Sequence, residues 1–275
     1  MRTRARWPWQ SGSAAGAAPA PPAVVLYADY DFSLLPVQTG LATLPNTSGD
    51  GPDLANVESG KAADVVLHDG LTWGSFDGSF VGCQYRAAMP DAAWSVPAGL
   101  PSRAWTSYVV IEPVVSGAAS GTYVLALSAA PSEPVVAPND FAYFQSIIWG
   151  GGGGFPAAGY TIACENYADD GSVSAPGTRY VFCMRWARNG ALSSISWGGG
   201  PFVWNHVTLG PFFPWPTCDF SWLCLGQGYA GAPEQAPWFN SGFNGLVGEW
   251  QLYQGAHSDA QAQAVMTALG AKWGF

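Results

Sequence analysis

The stretch from Gly245 to Phe275 constrains the fold more than any other. Gly245-Leu-Val-Gly-Glu-Trp-Gln-Leu-Tyr253 alternates in the way a half-buried strand does. Ser258 then stands as a helix N-cap, and Gln261 three positions on completes a capping box. Ala262, Val265, Met266 and Leu269 recur at i, i+3, i+4 and i+7, the spacing of one apolar helix face, and Gly270 reads as the residue just past the helix. The pattern predicts a strand that delivers an amphipathic helix onto one edge of a sheet structure, with Trp273 tucked beneath it.

Upstream the periodicity is that of strands. Val24 to Tyr30 is a short apolar run, and Asn46-Thr-Ser-Gly-Asp-Gly-Pro-Asp53 is a dense turn cluster. Trp105 to Val115 places Trp105, Ser107, Val109 and Ile111 on one face and Thr106, Tyr108, Val110 and Glu112 on the other. Arg179 to Arg188 puts Tyr180, Phe182, Met184 and Trp186 on one side, and Asn189-Gly190 signals a hairpin into Leu192 to Trp197. Leu71 to Tyr85, Thr122 to Ser128, Phe141 to Trp149, Tyr160 to Asn166, Phe202 to Leu209 and Phe220 to Leu225 add further strands. Only 11% of residues are charged, against 35 glycines and 22 prolines, which favours sheets and turns over helical bundles. About a dozen strands suit two packed antiparallel sheets. Two smaller β domains are the alternative, but nothing after residue 24 reads as a linker.

Residues 1–23 stand apart. Arg2, Arg4, Arg6, Trp7 and Trp9 precede an Ala/Gly/Ser/Pro tract that cannot build a core and reads as an extended arm. The tryptophans are candidate anchors into a partner, with the arginines meeting carboxylates or carbonyls. The whole chain carries −9, and setting those three arginines aside leaves −12 on the remainder. No basic stripe offers a nucleic-acid surface. No apolar run is long enough for a membrane span. The basic N-terminus lacks the apolar core of a secretory signal. Cys83, Cys164, Cys183, Cys218 and Cys224 are odd in number and show no C-x-x-C, which fits neither a disulfide scaffold nor a zinc site.

The order of several short motifs resembles the laminin-G-like, concanavalin A-like jelly-roll domains found in phage and bacterial proteins. The matching pieces are Thr47-Ser-Gly-Asp-Gly-Pro-Asp-Leu54, Phe76-Asp-Gly-Ser79, Trp204-Asn-His-Val-Thr-Leu209, Gly248-Glu-Trp-Gln-Leu-Tyr253, His257-Ser-Asp-Ala-Gln261 and Ala271-Lys-Trp-Gly274. Gln261 stands where the family has Glu, and His257 where it has Leu. The resemblance implies an all-β fold: a two-sheet antiparallel jelly-roll sandwich with one C-terminal helix, over residues 24–275, behind the arm of residues 1–23. It makes Glu249 the family's structural acid. Some relatives bind calcium. Asp50, Asp53, Asp169 and Asp170 are turn acids that do not make a clear ligand set, so no metal or other cofactor is expected.

Catalytic signatures are missing. There is no G-x-S-x-G, and His68, His206 and His257 stand alone. Glu112, Glu165 and Glu249 fall on separate strands with no second acid in register, unlike a glycosidase pair. Gly226-Gln-Gly-Tyr-Ala-Gly231 fits a dinucleotide motif, but the Ala-Pro-Glu-Gln-Ala-Pro that follows cannot open the required helix. Trp105, Trp186, Trp197, Trp204 and Trp250 read as core. Trp149, Trp215, Trp222 and Trp238, in or beside Gly/Pro-rich loops, are the candidate glycan-stacking residues.

These readings lead to a non-enzymatic virion structural or adhesion protein: a head spike, decoration protein or tail appendage. Residues 1–23 would bind other virion or assembly proteins, a cell-surface glycan would be the ligand, and the chain would be a homo-oligomer in the particle. The alternatives are a free carbohydrate-binding module or bacterial surface lectin, at an extracellular or cell-surface location, and a glycoside hydrolase.

Overall fold

The computed structural model describes residues 24–48, 50–56, 60, 62–77, 85–88, 105–113, 122–123, 125–128, 148–149, 157–162, 165–173, 177–186, 191–208, 222–226 and 243–275. Its strands are β1 (Val25–Asp31), β2 (Thr43–Leu44), β3 (Leu54–Asn56), β4 (Asp64–His68), β5 (Leu71–Asp77) and β6 (Tyr85–Ala88). Then come β7 (Trp105–Pro113), β8 (Thr122–Tyr123), β9 (Leu125–Ser128), β10 (Ile148–Trp149), β11 (Ala157–Ile162) and β12 (Glu165–Val173). The series closes with β13 (Tyr180–Trp186), β14 (Ala191–Trp197), β15 (Val203–Thr208), β16 (Trp222–Leu225) and β17 (Asn244–Gln254), followed by the helix α1 (Asp259–Trp273).

The architecture is an antiparallel β-sandwich of the jelly-roll type with one C-terminal helix. The larger sheet runs β15-β14-β13-β7-β17-β5-β4, and the smaller runs β2-β3-β6-β16-β9. β17 is the spine of the larger sheet. It pairs with β7 along one side, while its other side takes β5 at Asn244–Val247 and β1 at Glu249–Gln254. Between the sheets lies an aromatic core that includes Tyr30, Phe32, Phe76, Tyr85, Phe182 and Trp250. Packed in contact, such side chains supply most of the favourable free energy of folding.

The alternation read from the sequence holds here. Trp105, Val109 and Ile111 of β7 point into this core, as do Phe182 and Met184 of β13, whereas Tyr108, Val110, Val181 and Cys183 point outward. β13 and β14 pair across the expected hairpin, from Val181↔Trp197 to Trp186↔Leu192.

Four expectations are corrected. Tyr160 to Asn166 is not one strand, because β11 and β12 reverse between Ile162 and Glu165, at residues that carry no turn signature. Asp169 and Asp170 lie within β12 rather than in a turn. The helix does not stop at Gly270: it continues to Trp273 and ends on Gly274, whose φ of 82° is the left-handed cap. Gly270 instead sits inside the helix, where a Cβ would strike the Trp197 ring, so the glycine serves close packing. Finally, α1 lies over β13 and β7 in the middle of the larger sheet, not along an edge.

The helix covers a second apolar layer of Trp73, Tyr108, Val110, Val181, Cys183, Ala262, Met266, Leu269 and Trp273. Its start is as expected. Ser258 Oγ accepts from the Gln261 N–H, and Gln261 Oε1 accepts from the Ser258 N–H.

Candidate functional site

The buried charged or ionisable side chains Asp31, Glu112, Arg185, Glu249 and His257 gather where α1 meets the outer face of the larger sheet. A bulge in β17 sets the phase. Val247 opposes Ile111 and Glu249 opposes Val110, so Gly248 is the extra residue. A Cβ on Gly248 would come within 2.9 Å of the Trp273 ring, so only glycine leaves the indole its place. The bulge turns Trp250 inward, where its Nε1–H donates to Ser107 Oγ at 2.9 Å. It turns Glu249 outward beneath the helix.

There Glu249 meets a second acid. β1 pairs with β17 so that Asp31 opposes Glu249 and Asp29 opposes Gln251. The expectation that no second acid stands in register with Glu249 is therefore wrong. Sequence reading missed it because pairing β1 with β17 is a contact across more than two hundred residues. The clue in the sequence was Asp29-x-Asp31, whose spacing puts both carboxyls on one strand face.

Lys272 Nζ donates to Asp31 Oδ2 and to Glu249 Oε2, each at 2.5 Å, and Trp273 Nε1–H donates to Glu249 Oε2 at 3.0 Å. Both carboxylate side chains are buried, at 6% and 3% exposure. The two contacts hold Asp31 Oδ2 and Glu249 Oε2 no more than about 5 Å apart, comparable with the separation in a retaining glycosidase pair. Here an ammonium sits between them and the helix covers them. The arrangement is an ion triad that fastens α1, which fits the expected structural role of Glu249. Burial alone would lower the Lys272 pKa, but its hydrogen bonds to Asp31 and Glu249, and their charges, raise it above the ordinary lysine value. Beside them, burial and the charges of Glu249 and Asp31 push Asp29 up to about 7.

Two further clusters fasten the same helix. His68 is not alone, as the sequence suggested: its Nε2 lies 3.0–3.1 Å from both Glu112 oxygens. Arg179 donates to Glu112 Oε2 and to the Trp273 carbonyl, pairs with Asp69, and lies 5.3 Å over the Trp73 ring. At the helix N-terminus, Tyr108 Oη lies 2.5 Å from His257 Nδ1, and Arg185 reaches the His257 carbonyl and Asp259. Burial first, then Arg185, lowers the His257 pKa, so this histidine is neutral near pH 7. Burial pushes the Cys183 thiol up to about 12, which makes it a small hydrophobe and not a nucleophile.

Other sequence candidates fall into place as follows. Asp53 accepts from the Asn46 N–H, and Asn46 accepts from the Asp29 N–H while donating to the Gly51 carbonyl. These residues tie the turn to β1, with both the oxygen and the nitrogen of the Asn46 amide engaged. Among the described residues, three or more His, Cys, Asp or Glu side chains nowhere group as metal ligands. Trp105 and Trp250 are core; Trp197 is only half-buried and stacks on Phe202 at 5.1 Å. Trp149 ends β10 and Trp222 opens β16, with side chains outside the described residues, as are those of Trp186, Trp204 and His206. Arg2, Arg4, Arg6, Trp7, Trp9, Trp215 and Trp238 lie wholly outside them.

No family model and no curated protein sequence matches this chain. Solved structures do. An arabinofuranosidase complexed with arabinofuranosyl-α-1,2-xylobiose is 13% identical, with a TM-score of 0.57 over 83% of this chain and 50% of that one. A GH54 α-L-arabinofuranosidase soaked with a cyclic sulfate inhibitor is 12% identical, with a TM-score of 0.56 and the same coverage. A peanut lectin with a 9-mer peptide is 12% identical, with a TM-score of 0.41 over 73% of this chain and 94% of that one. The chain spans about half the length of the arabinofuranosidase chains it matches. At these identities the likeness concerns the sandwich fold alone.

Proposed function

We propose that the chain is a non-enzymatic recognition protein, a glycan-binding sandwich displayed on a larger assembly of the phage-virion kind through residues 1–23. One observation carries the non-enzymatic reading. Among the described residues, the carboxylate pair that the fold brings together, Asp31 and Glu249, is bridged by Lys272 and covered by α1. An acid pair in that state has no room for a sugar ring or an attacking water. The glycan-binding part of the reading is supported by sequence, where Trp149, Trp215, Trp222 and Trp238 stand in or beside Gly/Pro-rich stretches. The display reading is supported by the arm itself, with three arginines and two tryptophans ahead of a body of charge −12. Removing residues 1–23 should leave a folded, glycan-binding domain that no longer joins the particle. A truncated protein that still incorporates would refute the anchoring role.

The arabinofuranosidase likeness favours a second reading, a carbohydrate-binding module working in a longer or separate polysaccharide-degrading context. Arabinose- and xylose-containing oligosaccharides are then the first ligands to test. Binding of these by the isolated chain, with no assembly partner captured through the arm, would favour the module over the virion protein. Hydrolysis of the same sugars would refute both non-enzymatic readings.

A further inference from the structure

The register of β1 against β17 puts three carboxyl groups, Asp29, Asp31 and Glu249, on one strip of the face that α1 covers. Among the described residues, Lys272 is the one cation brought to that strip. Asp31 and Glu249 both hold it, and Glu249 also accepts from the Trp273 indole. Asp29 shares in neither contact, and its Oδ1 is buried with no hydrogen-bond partner. Three ionised carboxylates against a single lysine leave the strip two charges negative, in a place where water does little to offset it. A proton on Asp29 removes one of those charges.

We propose that Asp29, Asp31, Glu249 and Lys272 form a proton-dependent latch on the last turn of α1, tight when Asp29 is protonated and loosened when it is ionised. The groups facing Asp29 come from four elements. Asp31 stands on β1, Glu249 and Tyr253 on β17, and Lys272 on α1, with the Thr47 hydroxyl in the adjoining turn. Burial, then Glu249 and Asp31, push the Asp29 carboxyl up to about 7, against the opposing pull of Thr47 and Lys272. Tyr253 stays neutral, since burial, then Asp29 and Glu249, push its phenol up to about 12.

The sign follows from the direction of the Asp29 shift. The folded protein holds this proton more tightly than the unfolded chain, where an aspartate titrates near about 4. The stabilisation is therefore complete below about pH 4 and is lost as pH rises through about 7. Loosening would act on the last turn first, because Lys272 and Trp273 are its ties to the triad. It would uncover the edge-on Trp73–Trp273 pair, whose centroids are 4.4 Å apart.

Hydrogen exchange followed by mass spectrometry on the full chain tests the latch, after correction for the intrinsic pH dependence of exchange. From pH 5 to pH 8, amides of residues 270–275 should lose up to about a hundredfold in protection, the equivalent of two pKa units, while those of β7 and β13 keep theirs. Asp29→Asn should abolish the change and stay protected at pH 8. A wild-type chain with no change, or an Asn variant with the same change, would overturn the proposal. Should the variant not fold, carbon-13 titration of the wild-type Asp29 carboxyl decides. A midpoint above about 5.5 supports the latch, and one at or below it, closer to an ordinary aspartate, overturns it.

Discussion

The two faces of the larger sheet are held by different physics. The inner face packs Phe76, Val109, Ile111, Phe182, Met184, Val247 and Trp250 against the smaller sheet, in a layer that is almost wholly apolar. The outer face meets a single helix. Its apolar centre, with Trp73, Tyr108 and Val181, is ringed by Lys272 with Asp31 and Glu249, Arg179 with Glu112, and Arg185 with Asp259. The inner layer gains its stability from contact area and tolerates no cavity. The outer ring adds little net stability beyond desolvation, yet it fixes where the helix sits, since any other placement would leave buried charges unpaired. The comparison teaches that the acids of this sheet face are spent on fastening α1.

That contrast can be broken at three places. Trp250→Ala should be the most damaging, at about 3–5 kcal/mol in urea unfolding, because it opens a large cavity in the inner layer. A loss under about 1 kcal/mol would mean that the inner layer is not the main source of stability. Lys272→Met keeps the stem and removes the charge, leaving Asp31 and Glu249 buried without a cation. It should cost about 2 kcal/mol, below the usual figure for a broken buried pair because Lys272 is partly exposed. It should also show as lost exchange protection in α1 while the inner strands stay protected; uniform loss would deny that the helix is a separable layer. Ser258→Ala removes one half of the capping box and should cost about 1 kcal/mol, read as a small drop in melting temperature. Equal costs for Lys272→Met and Ser258→Ala would show that the ion triad fastens nothing.

Legibility in the sequence divided along the same line. The inner-facing residues of β7 and β13 were readable because side-chain alternation is a local property, reported by each strand on its own. The capping box at Ser258 and Gln261 was readable for the same reason. The outer cluster was not. Asp29, Asp31, Lys272 and Arg179 look like ordinary surface charges, and His68 looks solitary, until β1, β4, β7, β13, β17 and α1 are brought onto one face. Gly270 misled because a glycine near a helix end usually marks the stop. Here it admits Trp197 instead, and the stop falls at Gly274.

Sequence alone determined the all-β class, the inward-facing residues of β7 and β13 and the start of α1, since each depends on spacing within one short segment. Tertiary structure alone decided that α1 covers the middle of the larger sheet, that Asp31 opposes Glu249, and that Lys272 sits between them. Those facts rest on strand order and on bulges that shift register by one residue, and no local pattern encodes the partner across the sheet.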